Sequence, residues 1–217
     1  LEGSAIIAKP EIKTVQDLNG KTVGTPGIGT IQASLLYMVE KEFDIKVNPR
    51  HYTGPTGLPL DFEKENPRVL DAYIAWEPFV AEAVVKGLGN VTYTSHDILP
   101  SHQCCVFYIS GKMLREQPDI ARKLVKIHLR AMKYVTERPN DAMEIFADRT
   151  GKSLEVVQES WKRMIWDYHP NITSMKTFVS YLIEQKKIAS SDVQDVDQFV
   201  NNAVDTQILT EVEASGL

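Results

Sequence analysis

Lys21-Thr-Val-Gly-Thr-Pro-Gly-Ile-Gly-Thr-Ile-Gln32 is the stretch on which the reading of the fold turns. Thr22 to Gly24 reads as a short strand, Gly27 and Gly29 as a tight turn, and a helix starts near Ile31 with Thr30 placed as its N-cap. Backbone N–H groups in such a turn point at one spot, inside the positive field of a helix N-terminus. Thr25, Gly27, Ile28, Gly29 and Thr30 are therefore candidates to cradle a small anion or the polar head of a ligand. The glycines let the backbone turn and let a ligand approach closely. The Thr30 hydroxyl can cap its own helix, contact ligand, or do both. A helix start beside an unliganded turn would carry the same residues. The dinucleotide fingerprint is not met, because Gln32 stands at the third glycine position and no clear acidic residue closes the following strand.

Outward from this stretch, residues 4–9 read as a strand ended by Pro10, and 14–20 as a helical turn closed by glycine. The helix over 31–43 puts Ile31, Leu35, Val39 and Phe43 on one side. Residues 45–52 predict a strand made edge-like by Pro49, and 58–65 a short helix. Val69 to Trp76 is a strong strand. Glu77-Pro78 opens a helix ended by Gly87, with Pro78 suited to its first turn. Residues 91–94 and 104–109 predict two more strands. From Lys112 onward the pattern turns helical, with helices over 118–137, 139–149, 153–168 and 174–186. A last helix, capped by Ser191 with Gln194, runs to about Ile208, and 211–217 read as a loose tail. The fold class is α/β. Strand and helix alternate in the first half, which argues a mostly parallel sheet, and the remainder is a helical run.

The 217 residues are 43% hydrophobic and 24% charged, the make-up of a globular chain with a core. A net charge of −5 and the lack of a basic cluster interleaved with aromatics argue against nucleic acid. No apolar run reaches the length of a membrane span. The chain opens Leu1-Glu2-Gly3-Ser4 without a signal peptide or an initiator Met, as expected of a processed or trimmed piece. Its two cysteines are neighbours, Cys104 and Cys105. Adjacent Cα atoms lie about 3.8 Å apart, closer than an unstrained disulfide wants, and on a strand the two side chains face opposite ways. They define neither a disulfide framework nor a redox compartment. With His102 they suggest a metal site, but no second pair stands at ligand spacing, and His51, His96, His128 and His169 are scattered. No metal, cofactor or nucleophile–base constellation is expected.

Trp76, Glu77 and Pro78 lie where a strand ends and a helix begins, the place where open α/β sheets hold ligands. Trp76 can offer a wall or stacking face, and Glu77 can accept from a ligand amine or from the hinge. The plainer reading makes Trp76 core and Glu77 a helix cap. His102 is a further candidate to face the cleft. Trp161, Trp166, Tyr168, Phe178 and Tyr181 read as core, some of them able to line a cleft. Lys123, Lys126, Arg130 and Lys133 read as a solvated helix face.

The succession Asp17-Leu-Asn-Gly-Lys-Thr-Val-Gly-Thr-Pro-Gly27, Leu70-Asp-Ala-Tyr-Ile-Ala-Trp-Glu-Pro-Phe79, His102-Gln-Cys-Cys-Val-Phe-Tyr-Ile-Ser110 and Gln117-Pro-Asp-Ile-Ala-Arg122 resembles the type II periplasmic solute-binding proteins of ABC importers. The resemblance is to the branch that binds sulfonates, taurine, nitrate and thiamine-pyrimidine precursors. It implies two lobes around a ligand cleft, a non-catalytic receptor whose hinge closes on ligand, and docking on an ABC permease in the membrane. It also implies a periplasmic or extracellular location, with a signal or lipid anchor outside these residues. Lobe two would span 14–103. Lobe one would be built from 1–13 and 104–217, with crossings near Ala8–Lys13 and His102–Val106. Family members carry an earlier βα segment that this chain lacks, so exposed apolar faces, poor ligand binding, self-association or a second chain are expected of it. The rival is an enzyme similar to the fungal thiamine-pyrimidine synthases, which have a cysteine-rich stretch near the position of Cys104–Cys105 and use a lysine-bound pyridoxal phosphate. The segment that would bear that lysine is not in this chain. A third reading is a sensor domain fused to a signalling protein.

Overall fold

The computed structural model describes residues 1–64 and 69–216. The first half builds one five-stranded sheet from β1 (Ser4–Ala8), β2 (Thr22–Thr25), β3 (Asn48–His51), β4 (Ala72–Trp76) and β5 (Asn90–Thr94), in the order β3-β2-β4-β1-β5. β2 runs parallel to β3 and β4, whereas β1 runs antiparallel to both β4 and β5. The sheet is thus mostly parallel with one reversed strand wedged inside it. Residues 4–8, expected with lobe one, are instead central to this sheet. The period-two alternation explains why they are all apolar or small. Ile6 and Ala8, with Ala72 and Ile74, feed one core, while Ala5 and Ile7, with Tyr73 and Ala75, feed the other.

α1 (Ile31–Glu42) covers the first face through Leu35 and Val39. α2 (Gly57–Glu63) and α3 (Phe79–Val85) cover the second through Leu58, Phe62 and Val80. Gly24 is required where β2 meets α2: a Cβ there would lie 2.6 Å from Leu58 and 2.9 Å from Leu70. The edge-like reading of the Pro49 segment holds, since β3 is an exposed outer strand. Of the helix expected over 58–65, residue 65 lies outside the described residues.

The second half is helical: α4 (Ser95–Ile98), α5 (Gly111–Glu116), α6 (Pro118–Glu137), α7 (Pro139–Thr150), α8 (Leu154–Trp161), α9 (Ile172–Glu184), α10 (Val196–Ala203) and α11 (Gln207–Ala214). Pro118 and Pro139 each open a helix at its first turn, where a missing N–H costs nothing. Three expectations fail here. The helix from Ser153 stops at Trp161 rather than Tyr168. The capping residue of α10 is Asp195 rather than Ser191, and the helical stretch breaks at Val204 before α11, which occupies most of the expected tail. Residues 104–109 are not a strand, because among the described residues no neighbouring strand pairs with them. A strand needs a ladder partner as well as β-forming side chains.

The chain passes between the sheet and the helical half at residues 1–3 and 101–103, not at Ala8–Lys13. Glu2 N–H donates to the His102 carbonyl at 3.0 Å, and Leu1 and Ile165 exchange backbone hydrogen bonds at 2.7 and 3.1 Å. The helical half also packs on the sheet unit through α8 against α3 and α9 against α1.

Candidate functional site

β2 and β4 are parallel neighbours, with Val23 opposite Ala72 and Gly24 opposite Tyr73, so their carboxyl ends face the same way and β4 runs on beyond β2. The glycine turn and Trp76 therefore leave the sheet at the same end, from adjacent strands. Thr30 caps α1: its hydroxyl accepts from Ala33 N–H at 3.2 Å and donates to the Gly27 carbonyl at 2.9 Å. Gly29 sits at φ +74° and Gly27 at φ +159°. Among the hydrogen bonds of the described residues, none uses the N–H of Gly27, Ile28, Gly29 or Thr30. The turn is open to solvent, with Ile28 64% exposed. Thr25 differs from its neighbours in the cradle, for it is fully buried and its hydroxyl is bonded to His51 Nδ1 at 2.6 Å. Burial, with a smaller contribution from Lys187, holds the pKa of His51 below the ordinary imidazole value.

A cavity of about 800 Å³ lies between the sheet end and the helical half. Trp76 and Glu77 line it with Gln103 to Ile109, Leu129 and Met132 of α6, Met164, Trp166 and residues of α11. Gly27–Thr30, Pro78 and His102 are not in its lining. No Lys or Arg is either, among the described residues. Trp76 packs edge-on against Phe79, with centroids 6.1 Å apart. Phe107 stacks on His128 at 4.8 Å. The indole N–H of Trp166 is buried without an acceptor.

Glu77 is committed to structure. One carboxylate oxygen accepts from Ala81 N–H at 3.0 Å, capping α3, and the other accepts from the Arg163 guanidinium, which also reaches Glu159 at 2.9 Å. Burial pushes the Glu77 carboxyl up, and the charge of Arg163 opposes it. Pro78 follows a cis peptide bond and precedes the first turn of α3. His102 does not face the cavity. It is fully buried, edge-on to Phe178 at 5.7 Å, with neither ring nitrogen bonded.

Sequence reasoning missed a buried polar chain beneath the site. Ser4 N–H donates to Ser95 Oγ at 3.1 Å, and Gln32 Nε2 donates to Ser4 Oγ at 3.0 Å and reaches Cys104 Sγ at 3.9 Å. The signal for it was the polar Gln32 between Ile31 and Ala33 in the first turn of α1. Arg163, next to Lys162 and far along the chain from Glu77, gave no such signal. Among the described residues no group of three or more His, Cys, Asp and Glu stands close enough to hold a metal ion, and no helix is long and apolar enough to cross a membrane.

Solved structures similar in fold include three binding proteins. The ligand binding component of an ABC-type import system from Staphylococcus aureus, solved with zinc bound, is 17% identical over 86% of this chain and 65% of its own, with a TM-score of 0.74. The periplasmic aliphatic sulphonate binding protein of Escherichia coli is 18% identical over 86% and 61%, with a TM-score of 0.70. The periplasmic nitrate-binding protein of Synechocystis PCC 6803 is 12% identical over 100% and 66%, with a TM-score of 0.84. The chain thus spans 61–66% of the length of these structures. The fold is that of the type II periplasmic solute-binding proteins. No curated protein sequence matches the chain. A family model described as NMT1-like matches residues 22–149, from β2 to the end of α7 and more than half of the sequence. The chain belongs to the NMT1-like family.

Proposed function

We propose that this chain is the solute-capturing part of an ABC-type importer and that it holds a small polar or anionic solute beside Trp76. The observation that carries the reading is that two features leave the sheet at the same end from neighbouring strands: the four unbonded amides of Gly27 to Thr30, and Trp76, which lines a cavity large enough for a small molecule. No basic side chain lines that cavity, and the amides of Gly27 to Thr30 and the dipole of the twelve-residue α1 lie outside its lining, so in this reading a negative head must reach beyond the cavity to the same sheet end to meet them. Thr25, Glu77 and His102 contribute through the frame rather than by contact with solute. Pro78 sets the start of α3.

In this reading the solute binds the closed arrangement of two lobes better than the open one, and the closed form docks on a membrane permease. The location is periplasmic or extracellular. Residues 106–108 expose Val, Phe and Tyr, with Tyr108 83% exposed, and they flank the same cavity. Further polypeptide over this surface would complete the cleft, as would self-association. A thermal-shift panel of sulfonates, nitrate, pyrimidines and amines tests the reading. A true solute at a hundred times its dissociation constant adds about 2.7 kcal/mol of stability. A chain that responds to no member of the panel, alone or within a longer form of the protein, would remove the proposal.

A further inference from the structure

Cys104 and Cys105 lie in the cavity wall, and nothing in the solute reading uses them. Neighbouring side chains of a regular strand point to opposite faces. Because 104–109 is not a strand, the two sulfurs come instead to the same side, with Sγ atoms 4.0 Å apart and no disulfide between them. Cys104 is half-buried, its sulfur against the Gln32 amide that Ser4 holds in place. Cys105 is exposed, and its carbonyl is held by Gln103 Nε2 at 2.5 Å. The contact with Cys104 holds the Cys105 thiol below the ordinary range, against the effect of burial, and the Cys104 thiol is correspondingly pushed up. One sulfur is thus anchored by a buried polar chain and the other is open to the cavity.

Two sulfurs this close on one short segment can both bond a single soft atom. A four-coordinate metal has no further ligands here, since no cluster of three or more His, Cys, Asp and Glu stands among the described residues. We propose that Cys104 and Cys105 form a chelating dithiol site for trivalent arsenicals and ligands of the same thiophilic class. With an aryl arsenoxide the step is a condensation. Two S–As bonds form, the As=O bond breaks, and the oxygen leaves as water with the two thiol protons. Arsenic stays trivalent, so no oxidant or reductant is required. The second S–As bond closes within the chain, and such intramolecular closure strengthens retention by about a hundredfold or more over a single thiol.

The test is titration of the reduced 217-residue chain with phenylarsine oxide, read by intact mass. The expected product is one arsenical per chain with loss of one water, removed by dithiothreitol but not by an excess of a monothiol. Cys104→Ala and Cys105→Ala should each lower retention by about a hundredfold. Circular dichroism establishes that each variant is folded, and Cys105→Ala, at the exposed position, decides the matter if Cys104→Ala is not. Full retention by Cys105→Ala, release by monothiol, an adduct bridging two chains, or no adduct would each overturn the proposal.

Discussion

The carboxylate of Glu77, at the end of β4, is clasped by the guanidinium of Arg163, just beyond α8, so a buried ion pair fastens the sheet to the helical half. The Glu77 side chain is 1% exposed and that of Arg163 13%. Removing one partner of such a pair leaves the other charge stranded. Arg163→Ala should therefore destabilise the chain by about 3–5 kcal/mol. Urea denaturation measures it, and a loss under about 1 kcal/mol would mean that water reaches Glu77 freely.

Trp76→Ala should weaken solute binding by about tenfold, equivalent to about 1.4 kcal/mol, while changing the urea midpoint little. Calorimetry with whichever solute stabilises the wild-type chain measures it. An unchanged affinity would place the solute elsewhere than beside the aromatic wall.

Thr30→Val keeps the shape of the side chain and removes the hydroxyl that both caps α1 and ties down the turn. The expected loss of stability is about 1 kcal/mol. Solute affinity should fall as well, because the amides of Gly27 to Thr30 lose their fixed aim. A variant that loses stability but retains affinity would separate the cap from the cradle.

Gly24→Ala should cost about 1–3 kcal/mol, since the added methyl runs into Leu58 and Leu70 where β2 meets α2. The contrasting Gly20→Ala, with no atom within 4 Å of the new Cβ but a φ of +73°, should be destabilised by backbone strain alone. Equal urea midpoints for wild type and Gly24→Ala would mean that α2 yields.

Burial without a partner holds the pKa of His102 below its ordinary value of 6.5. The unfolded chain then takes up a proton that the folded chain refuses. The stability contributed by neutral His102 is present above pH 6.5 and is lost as pH falls through the lowered folded value. His51 and His128, also lowered by burial, act in the same direction. His96, raised by its hydrogen bond to Glu2, acts in the opposite one, as does His169, which is partly desolvated but held up by Asp167 and Glu213. The difference between wild type and His102→Asn isolates the effect. Between pH 7.5 and pH 5.5 the variant should lose less stability than the wild type, as read from urea midpoints.

Much of the architecture could be read from local pattern. The Thr30 cap, the proline starts of α6 and α7 and the edge character of Pro49 depend on a few adjacent residues, and each stands where it was expected. Long-range pairing could not be read that way. Residues 4–8 carry no mark that they run antiparallel between β4 and β5, since any doubly covered strand is equally apolar. Residues 104–109 have the composition of a strand but lack a ladder partner among the described residues. In the candidate site, Trp76 could be placed from its position at a strand end. The assignment of Glu77 depended on a cation 86 residues away, and that of His102 on the side chains packed around it.

The reversed strand β1 has a consequence for assembly. Ala5 is made before both of its neighbours in the sheet, Ala75 and Thr94, which leave the ribosome some seventy and ninety residues later. β1 can cover the flank of β4 as soon as β4 appears, but its own other edge stays open until β5 arrives, and β5 cannot join the sheet without β1 as the intervening plank. Chaperone capture or cleavage before Thr94 appears would catch a four-stranded sheet with β1 at its edge, and deletion of residues 1–8 would leave β5 cut off from the other strands.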